Sequence, residues 1–180
     1  MNGGSVGFVR PATQADAESI ARIHVDAWRH NYRGLIDDAT LALQRVETRL
    51  LAWNRALAEG VSVLLAEDEG EVRGWVSLGA FRHSASTRPE VMALTTAWAE
   101  LMGFYVAPTA QRTGIGRTLW NAAKAWCFES GYQDVGLWVL ANNAPAIRFY
   151  EACGFCDQRL DQHFEINGQP LVESLLARRL

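Results

Sequence analysis

The sequence predicts a mixed α/β protein. Strand-like and helical segments follow one another in the order β, α, α, three strands, α, β, α and a closing hairpin. Two nearly continuous apolar strands, residues 100–106 and 135–140, are each followed by a helical segment, as expected for strands buried on both faces. With 180 residues, of which 49% are hydrophobic and 21% charged, we expect one globular domain over residues 6–180 behind a disordered tail at residues 1–5.

The N-terminal third is predicted to contain one strand and two helical stretches. A strand at residues 6–10 precedes a capping box formed by Thr13 and Asp16, which indicates a helix start. Apolar residues follow at helical spacing, namely Ile20, Ile23 and Ala27. A loop then leads to a second helical stretch at residues 37–57.

The middle and the end of the chain are predicted to be rich in strands. Residues 61–67 and 72–81 are both strand-like, and the acidic and glycine residues between them predict a hairpin turn. Residues 82–89 form the one long polar connection, and a helical turn is expected before residue 97. Two final strands flank the turn at Asn167–Gly168.

A glycine-rich loop joins the strand at residues 100–106 to the next helix. Its glycines, Gly114 and Gly116, allow the backbone to curl, and the helix start supplies N–H groups without intrahelical partners, so the loop suits phosphate. A Walker loop is excluded because Arg117 follows Gly116 where lysine is required. A dinucleotide fingerprint is excluded because Leu119 stands where its third glycine would be.

Three segments together carry a family resemblance. Residues 111–116, QRTGIG, follow the pattern Q/R-x-x-G-x-G/A. Residues 137–155, LWVLANNAPAIRFYEACGF, and residues 8–24, FVRPATQADAESIARIH, extend the similarity over nearly the whole chain. The sequence therefore resembles the GNAT superfamily of acyl-CoA-dependent N-acetyltransferases. This resemblance implies a central, mostly antiparallel, twisted sheet that is splayed between its fourth and fifth strands and flanked by helices.

The resemblance also implies a site for acetyl-CoA, the acyl donor. The pantetheine arm would be held by strand-like backbone hydrogen bonds from Phe104, Tyr105 and Val106. The pyrophosphate would be wrapped by Gln111, Arg112, Thr113, Gly114, Ile115, Gly116 and Arg117. Asn143 matches the asparagine of the family that contacts the pantetheine arm or orders the site. Gly103 is expected to permit a bulge or a close approach in the strand.

Tyr150 and Glu100 are the catalytic candidates that the resemblance implies. Tyr150 would protonate the departing sulfur, and the alternative is a core aromatic residue. Glu100 would act as a base through water, and the alternative is an ordinary carboxylate at a strand end. His83, in the long loop, is a further candidate for the base and for contact with the acceptor. The backbone N–H of Val106 could polarise the thioester carbonyl.

Trp28 and Tyr32 lie in the region that walls the acceptor pocket in this family. They could shape that pocket or hold an ammonium group by cation–π contact. The Cys153–Cys156 pair lies at a helix C-terminus, where the dipole opposes a thiolate, and His24 and His30 do not share a helix face. We therefore expect neither a redox role nor a bound metal.

Charge and composition limit the classes of partner that the protein is expected to bind. A net charge of −3 gives no nucleic-acid footprint, and no apolar run is long enough to span a bilayer. Three cysteines and an N-terminus without leader features predict a cytoplasmic protein. The expected partner is a small-molecule or peptide amine, and a homodimer is common in the family. The alternatives are a non-catalytic acyl-CoA-binding module and an enzyme that uses a longer acyl group.

Overall fold

The computed structural model of the protein describes residues 8–84 and 87–180, so the predicted tail at residues 1–5 lies outside the described residues. The helices are α1 (Ala17–Asn31), α2 (Asp38–Ala42), α3 (Val46–Ala58), α4 (Pro89–Thr95), α5 (Ile115–Glu129) and α6 (Ala144–Ala152). The strands are β1 (Phe8–Pro11), β2 (Ser62–Asp68), β3 (Glu71–Ala80), β4 (Ala99–Val106), β5 (Asp134–Leu140), β6 (Cys156–Ile166) and β7 (Gln169–Arg179).

The strands form a seven-stranded sheet in the order β1-β2-β3-β4-β5-β7-β6. The pairs β1–β2, β5–β7 and β6–β7 are antiparallel, whereas β4 and β5 are parallel. This mostly antiparallel sheet with flanking helices confirms the predicted fold class. The parallel pairing joins Ala99 to Val135 and Glu100 to Gly136, at the beginning of each strand. The expected splay beyond these pairs stays a prediction.

The chain divides into two compact units. Unit one comprises the described part of residues 1–77 together with residues 103–123. In it, α1 packs its apolar face on the sheet, and the predicted positions Ile20, Ile23 and Ala27 are all buried. The core of this unit also contains Val63, Leu65 and Trp75, against which Trp53 and Tyr105 pack.

Unit two comprises residues 78–102 and 124–180. Its core cluster contains Phe81, Val91 and Leu175, and half-buried aromatic residues pack against it. The β5–β7 ladder runs without interruption from Asp134–Arg179 to Leu140–Glu173. A Cβ atom at Gly136 would lie 2.8 Å from Phe81 Cε2, so this position of β5 has room only for glycine.

The helix predicted for residues 37–57 is divided into α2 and α3. The carboxylate of Asp37 accepts from the backbone N–H of Thr40 at 2.8 Å and caps α2. The backbone of Arg45 is extended, with φ −121° and ψ 139°, and this residue separates the two helices. The helical turn expected before residue 97 is α4, which begins with Pro89 in its first turn.

The three cysteines carry thiols rather than disulfide bonds. Cys127 and Cys153 are buried, and Cys156 is exposed. Burial raises the pKa of the Cys127 thiol to about 11. Within residues 8–84 and 87–180, no group of three or more His, Cys, Asp or Glu side chains is placed to hold a metal ion. No helix in the described part of the chain is both long and apolar enough to cross a membrane.

A nearly buried carboxylate fastens the start of α1 to the sheet. Asp16 accepts from Arg10 Nη2 at 2.7 Å, from Arg10 Nη1 at 2.9 Å and from the backbone N–H of Thr13 at 2.7 Å. The last of these contacts is the one that the predicted capping box requires. Arg10 also pairs with Glu67 of β2. The hydrogen bonds from Arg10 hold the pKa of Asp16 well below its ordinary value.

Replacement of this carboxylate is expected to destabilise the fold. Asp16→Asn removes the charge opposite Arg10 and should lower the free energy of unfolding at pH 7 by about 2 kcal/mol. Because the pKa of Asp16 is depressed in the folded state, its contribution is present above the unfolded pKa and is lost as the pH falls through the folded value. Urea unfolding at several pH values measures this, with exposed Asp26→Asn as the control. An equal loss in both variants would contradict the expectation.

Candidate active site

The glycine-rich loop of unit one leads from β4 into α5. After β4, residues 108–110 form a single 3₁₀ turn. Arg112 and Gly114 then adopt left-handed backbone conformations, with φ values of 63° and 101°. These two residues turn the chain into the first residue of α5, Ile115. The first N–H groups of this helix consequently lack intrahelical partners, as at any helix N-terminus.

Side-chain hydrogen bonds hold the loop in place. Gln111 Nε2 donates to Asn31 Oδ1 at 2.9 Å, which connects the loop to the end of α1. Thr113 Oγ1 donates to the carbonyl of Ala110 at 2.7 Å. The side chains of Arg112 and Arg117 are exposed, and no carboxylate in the described part of the chain pairs with them. Both guanidinium groups are therefore available to an anion.

The second half of β4 lies close to a tryptophan of β3. A Cβ atom at Gly103 would lie 2.8 Å from Trp75 Cζ3, so this position of β4 has room only for glycine. The bulge or close approach expected at Gly103 for the thioester stays a prediction. Two residues further along β4, the Tyr105 ring lies 5.0 Å from the Trp75 ring. Phe104, Tyr105 and Val106 are all half-buried.

An aromatic cluster surrounds the Tyr105 hydroxyl. Trp28 Nε1 donates to this hydroxyl at 2.9 Å, and the Tyr32 hydroxyl lies 3.5 Å from it. The Trp28 and Tyr32 rings meet edge to face at 4.8 Å. Of the three residues predicted to contact the acceptor, Trp28 and Tyr32 are thus in contact with Tyr105, which was predicted only for the pantetheine arm.

His24 extends this aromatic cluster into the core. Its ring stacks on Tyr105 at 5.0 Å, and its Nδ1 accepts from Trp53 Nε1 at 3.2 Å. Burial and the nearby charge of Arg49 lower the pKa of His24 to about 3. The imidazole is therefore neutral at physiological pH. The Arg49 guanidinium lies 5.7 Å from the centre of the Trp28 ring, within cation–π distance.

Glu100 lies in unit two and is held by an arginine. Arg82 donates from Nη2 to Oε1 at 2.7 Å and from Nε to Oε2 at 2.9 Å. The backbone N–H of Arg82 donates to Oε2 at 2.8 Å. Glu100 is 3% exposed. Both of its carboxylate oxygens are thus engaged in a bidentate ion pair, which is a strong arrangement.

The other predicted residues of unit two have separate surroundings. His83 Nε2 lies 2.7 Å from Thr95 Oγ1, at the end of α4. Asn143 is buried and caps α6, because its Oδ1 accepts from the backbone N–H of Ala146 at 3.3 Å. Tyr150 lies in the last turn of α6 and is half-buried, with its ring 5.3 Å from Phe149 and 5.7 Å from Phe155.

Within each unit, predicted residues lie together with residues that were not predicted for the site. In unit one, His24, Arg49 and Trp53 join the predicted pair Trp28 and Tyr32. His24, Trp28 and Tyr32 are spaced four residues apart, and this helical spacing was a signal available in the sequence. In unit two, Arg82 joins Glu100, and no spacing pattern predicted that pair.

Comparison with known proteins identifies the family of the chain. The sequence profile of the acetyltransferase (GNAT) family matches residues 17–155. The chain is 31% identical over 167 residues to the uncharacterized N-acetyltransferase YuaI of Bacillus subtilis (strain 168), covering 92% of this chain and 88% of that protein.

Two solved structures are also similar. A ribosomal-protein-alanine N-acetyltransferase from Brucella melitensis superposes with a TM-score of 0.70 at 26% identity, over 96% of this chain and 99% of that one. A PaiA N-acetyltransferase from Thermoplasma acidophilum, in complex with coenzyme A, has a TM-score of 0.67 at 18% identity, with coverages of 96% and 98%. The second similarity shows the fold alone.

These matches define the class of protein. The chain belongs to the acetyltransferase (GNAT) family, since the profile spans well over half of its length. It is an N-acetyltransferase, as its relatives are.

Proposed function

We propose that this protein transfers the acetyl group of acetyl-CoA to a primary amine of a small molecule or peptide, by direct attack of the amine. The observation that carries the proposal is the loop before α5, where Arg112 and Gly114 have positive φ values and the helix begins at Ile115. Such a turn directs successive backbone N–H groups to one point, which favours a diphosphate. The structurally similar PaiA protein was solved in complex with coenzyme A, the carrier of the proposed acyl group.

The loop fits the pyrophosphate of the donor in three respects. A Cβ atom at Gly114 would have no neighbour within 4 Å, so the backbone there is open to a ligand. Arg112 and Arg117 can add charge-assisted hydrogen bonds to phosphate oxygens. The dipole of α5 favours negative charge at its N-terminus. Residues 111–117 would therefore hold the diphosphate, and residues 104–106 would follow the pantetheine arm with their backbone groups.

The chemistry requires a proton for the departing sulfur. The amine nitrogen forms a bond to the thioester carbonyl carbon, and the carbon–sulfur bond then breaks. The Tyr150 hydroxyl would supply the proton, since a phenol with an ordinary pKa near 10 can protonate a thiolate whose thiol has a pKa near 8.5 when water is excluded. Asn143 would position α6, on which Tyr150 lies, by capping its N-terminus.

The aromatic cluster of unit one is the proposed wall of the acceptor pocket. Trp28, Tyr32 and Tyr105 form a half-buried surface whose polar atoms are hydrogen-bonded to one another. Neutral His24 adds no charge, whereas the Arg49 guanidinium lies over Trp28. This arrangement favours an acceptor with an apolar or aromatic body. The donor and the amine would react in one ternary complex, because β4 and β5 contain no cysteine that could carry an acyl group.

A panel of amines tests the proposal. Purified protein with acetyl-CoA is given aromatic, aliphatic and peptide amines, and formation of the N-acetyl product is followed by mass spectrometry. Transfer to at least one primary amine, with aromatic amines favoured, is the expected result. Coenzyme A binding without transfer to any amine would instead favour a non-catalytic binding module. A larger rate with a longer acyl donor would favour an acyltransferase for that chain length.

Replacement of one loop glycine should weaken coenzyme A binding selectively. Gly114→Ala places a side chain at a φ of 101°, and Gly60→Ala does so at 83° in the turn after α3. Each should lower the free energy of unfolding by about 1 kcal/mol. Only Gly114→Ala is expected to raise the coenzyme A dissociation constant, by about tenfold in calorimetry. Equal coenzyme A affinity in the two variants would argue against a diphosphate site in this loop.

Loss of the Tyr150 hydroxyl should slow the reaction without affecting donor binding. Tyr150→Phe keeps the ring contacts with Phe149 and Phe155, so we expect the fold to be retained. The turnover number should fall by about 10²-fold, the usual contribution of a general acid. Tyr132→Phe, which removes the hydroxyl of a tyrosine stacked on Trp126, is the control. If turnover were limited by chemistry and unchanged in Tyr150→Phe, another group would be the acid.

A further inference from the structure

A second carboxylate of unit two lies on the same face of the sheet as Glu100. Paired residues of neighbouring strands project to one face, and alternate residues along a strand share it. Glu100 pairs with Gly136, and four residues further along β5, Leu140 pairs with Glu173 of β7. Glu173 in turn pairs with Gln162 of β6. Glu100, Glu173 and Gln162 therefore project from the same face.

The two carboxylates differ in what their oxygens contact. Both oxygens of Glu100 accept hydrogen bonds from Arg82, and the residue is almost fully buried. Protonation of Glu100 would break a bidentate charge-assisted pair and leave the guanidinium without its counter-charge. This geometry argues against the predicted role of Glu100 as the base, with or without an intervening water.

Glu173 has an oxygen available. Its Oε2 accepts from Gln162 Nε2 at 2.7 Å, and no side chain among residues 8–84 and 87–180 donates to Oε1. The residue is half-buried, and its pKa is raised above the ordinary value, first by burial and then by the negative charge of Glu100. The hydrogen bond from Gln162 and the positive charge of Arg82 offset part of that rise. A carboxylate with a raised pKa binds a proton more readily near neutral pH than a surface carboxylate does.

The position of Glu173 along the sheet is also suitable. Its partner Leu140 is the last residue of β5, and the backbone pairing continues one step, from the Ala141 N–H to the Val172 carbonyl at 2.9 Å. The chain then reaches Asn143 and α6, which carries the proposed acid, Tyr150. The candidate base thus lies beside the strand end from which the helix of the candidate acid begins.

We propose that Glu173 is the general base of the acetyl transfer and that Arg82 and Glu100 are positioning residues. This assignment rests on the proposed function. As the amine nitrogen bonds to the thioester carbon, its proton passes to Glu173 Oε1, directly or through one water molecule. The carbon–sulfur bond breaks, and the thiolate takes its proton from Tyr150. Arg82 and Glu100 together place opposite charges near Glu173 without taking up the proton.

A base is needed because the attacking nitrogen becomes positively charged as it bonds to the thioester carbon and must then lose a proton. The amine must in addition be neutral when it attacks. A lysine-like amine with a pKa near 10.4 is neutral only about one time in a few thousand at pH 7. Below the pKa values of both amine and base, log kcat/KM should rise with pH at a slope of two. Between the two values the slope should be one. The pH at which the slope changes therefore gives the pKa of the base, separately from the pKa of the amine.

The test compares Glu173→Gln with the wild-type chain, using acetyl-CoA and the best amine of the panel. Glu173→Gln should lower kcat/KM by about 10²-fold at neutral pH and should keep a slope of one throughout the acidic range. Glu173→Asp should retain the change of slope, at a lower rate. Coenzyme A affinity should be unchanged in both variants. Glu165→Gln, an exposed carboxylate of β6, is the matched control and should behave as the wild type.

Two outcomes would overturn the assignment, and they are distinguishable. If the wild type transfers acetyl groups but Glu173→Gln keeps its rate and its change of slope, Glu173 is not the base, and the same profile of Glu100→Gln then shows whether Glu100 is. If the wild type binds coenzyme A but acetylates no amine, the proposed function is wrong, and the assignment of Glu173 as its base is wrong with it. Thermal melting of each variant identifies a loss of fold. If Glu173→Gln is unfolded, the pH profile of Glu173→Asp tests the assignment in its place.

Discussion

The ion pair between Arg82 and Glu100 is the interaction on which the polar interior of unit two depends. A carboxylate that is 3% exposed would be strongly destabilising without a counter-charge, and the guanidinium satisfies both of its oxygens. The backbone N–H of Arg82 donates to the same carboxylate, so the chain that follows β3 is fastened to β4. The charge of Glu100 is thereby kept inside the protein, where it influences Glu173.

Among its described residues, unit one contains no such ion pair at its aromatic cluster. Its aromatic rings are instead held together by hydrogen bonds between their polar atoms. Trp28 and Tyr32 meet at the Tyr105 hydroxyl, and Trp53 donates to His24. Because His24 is kept neutral by burial and by Arg49, the cluster has little tendency to change its charge between pH 5 and 8. One buried polar atom is left over, since Trp75 Nε1 has no hydrogen-bond partner among the described residues. The resulting surface is mostly apolar, with its polar atoms largely satisfied within the cluster.

Local signals made much of the fold predictable. The capping residues before α1, the proline after β4 and Gly114 before α5 each act within a few residues, so the order of strand, loop and helix could be read from the sequence. Gly116, predicted for the loop, lies instead in the first turn of α5. The break between α2 and α3 was missed because no glycine or proline marks it. The contacts of the site were missed for another reason. Trp28 and Tyr105 are 77 positions apart, and Arg82 and Glu100 are 18 apart, so only the assembled sheet determines these pairs.

The placement of the three cysteines has a practical consequence for any colorimetric assay that titrates liberated coenzyme A. Cys127 is buried with a pKa near 11, and Cys153 is buried at the end of α6, so both should be slow towards a disulfide reagent. Cys156, the first residue of β6, is exposed and should react promptly. The enzyme itself would therefore contribute a constant blank of one equivalent per chain, and a Cys156→Ser background would remove it.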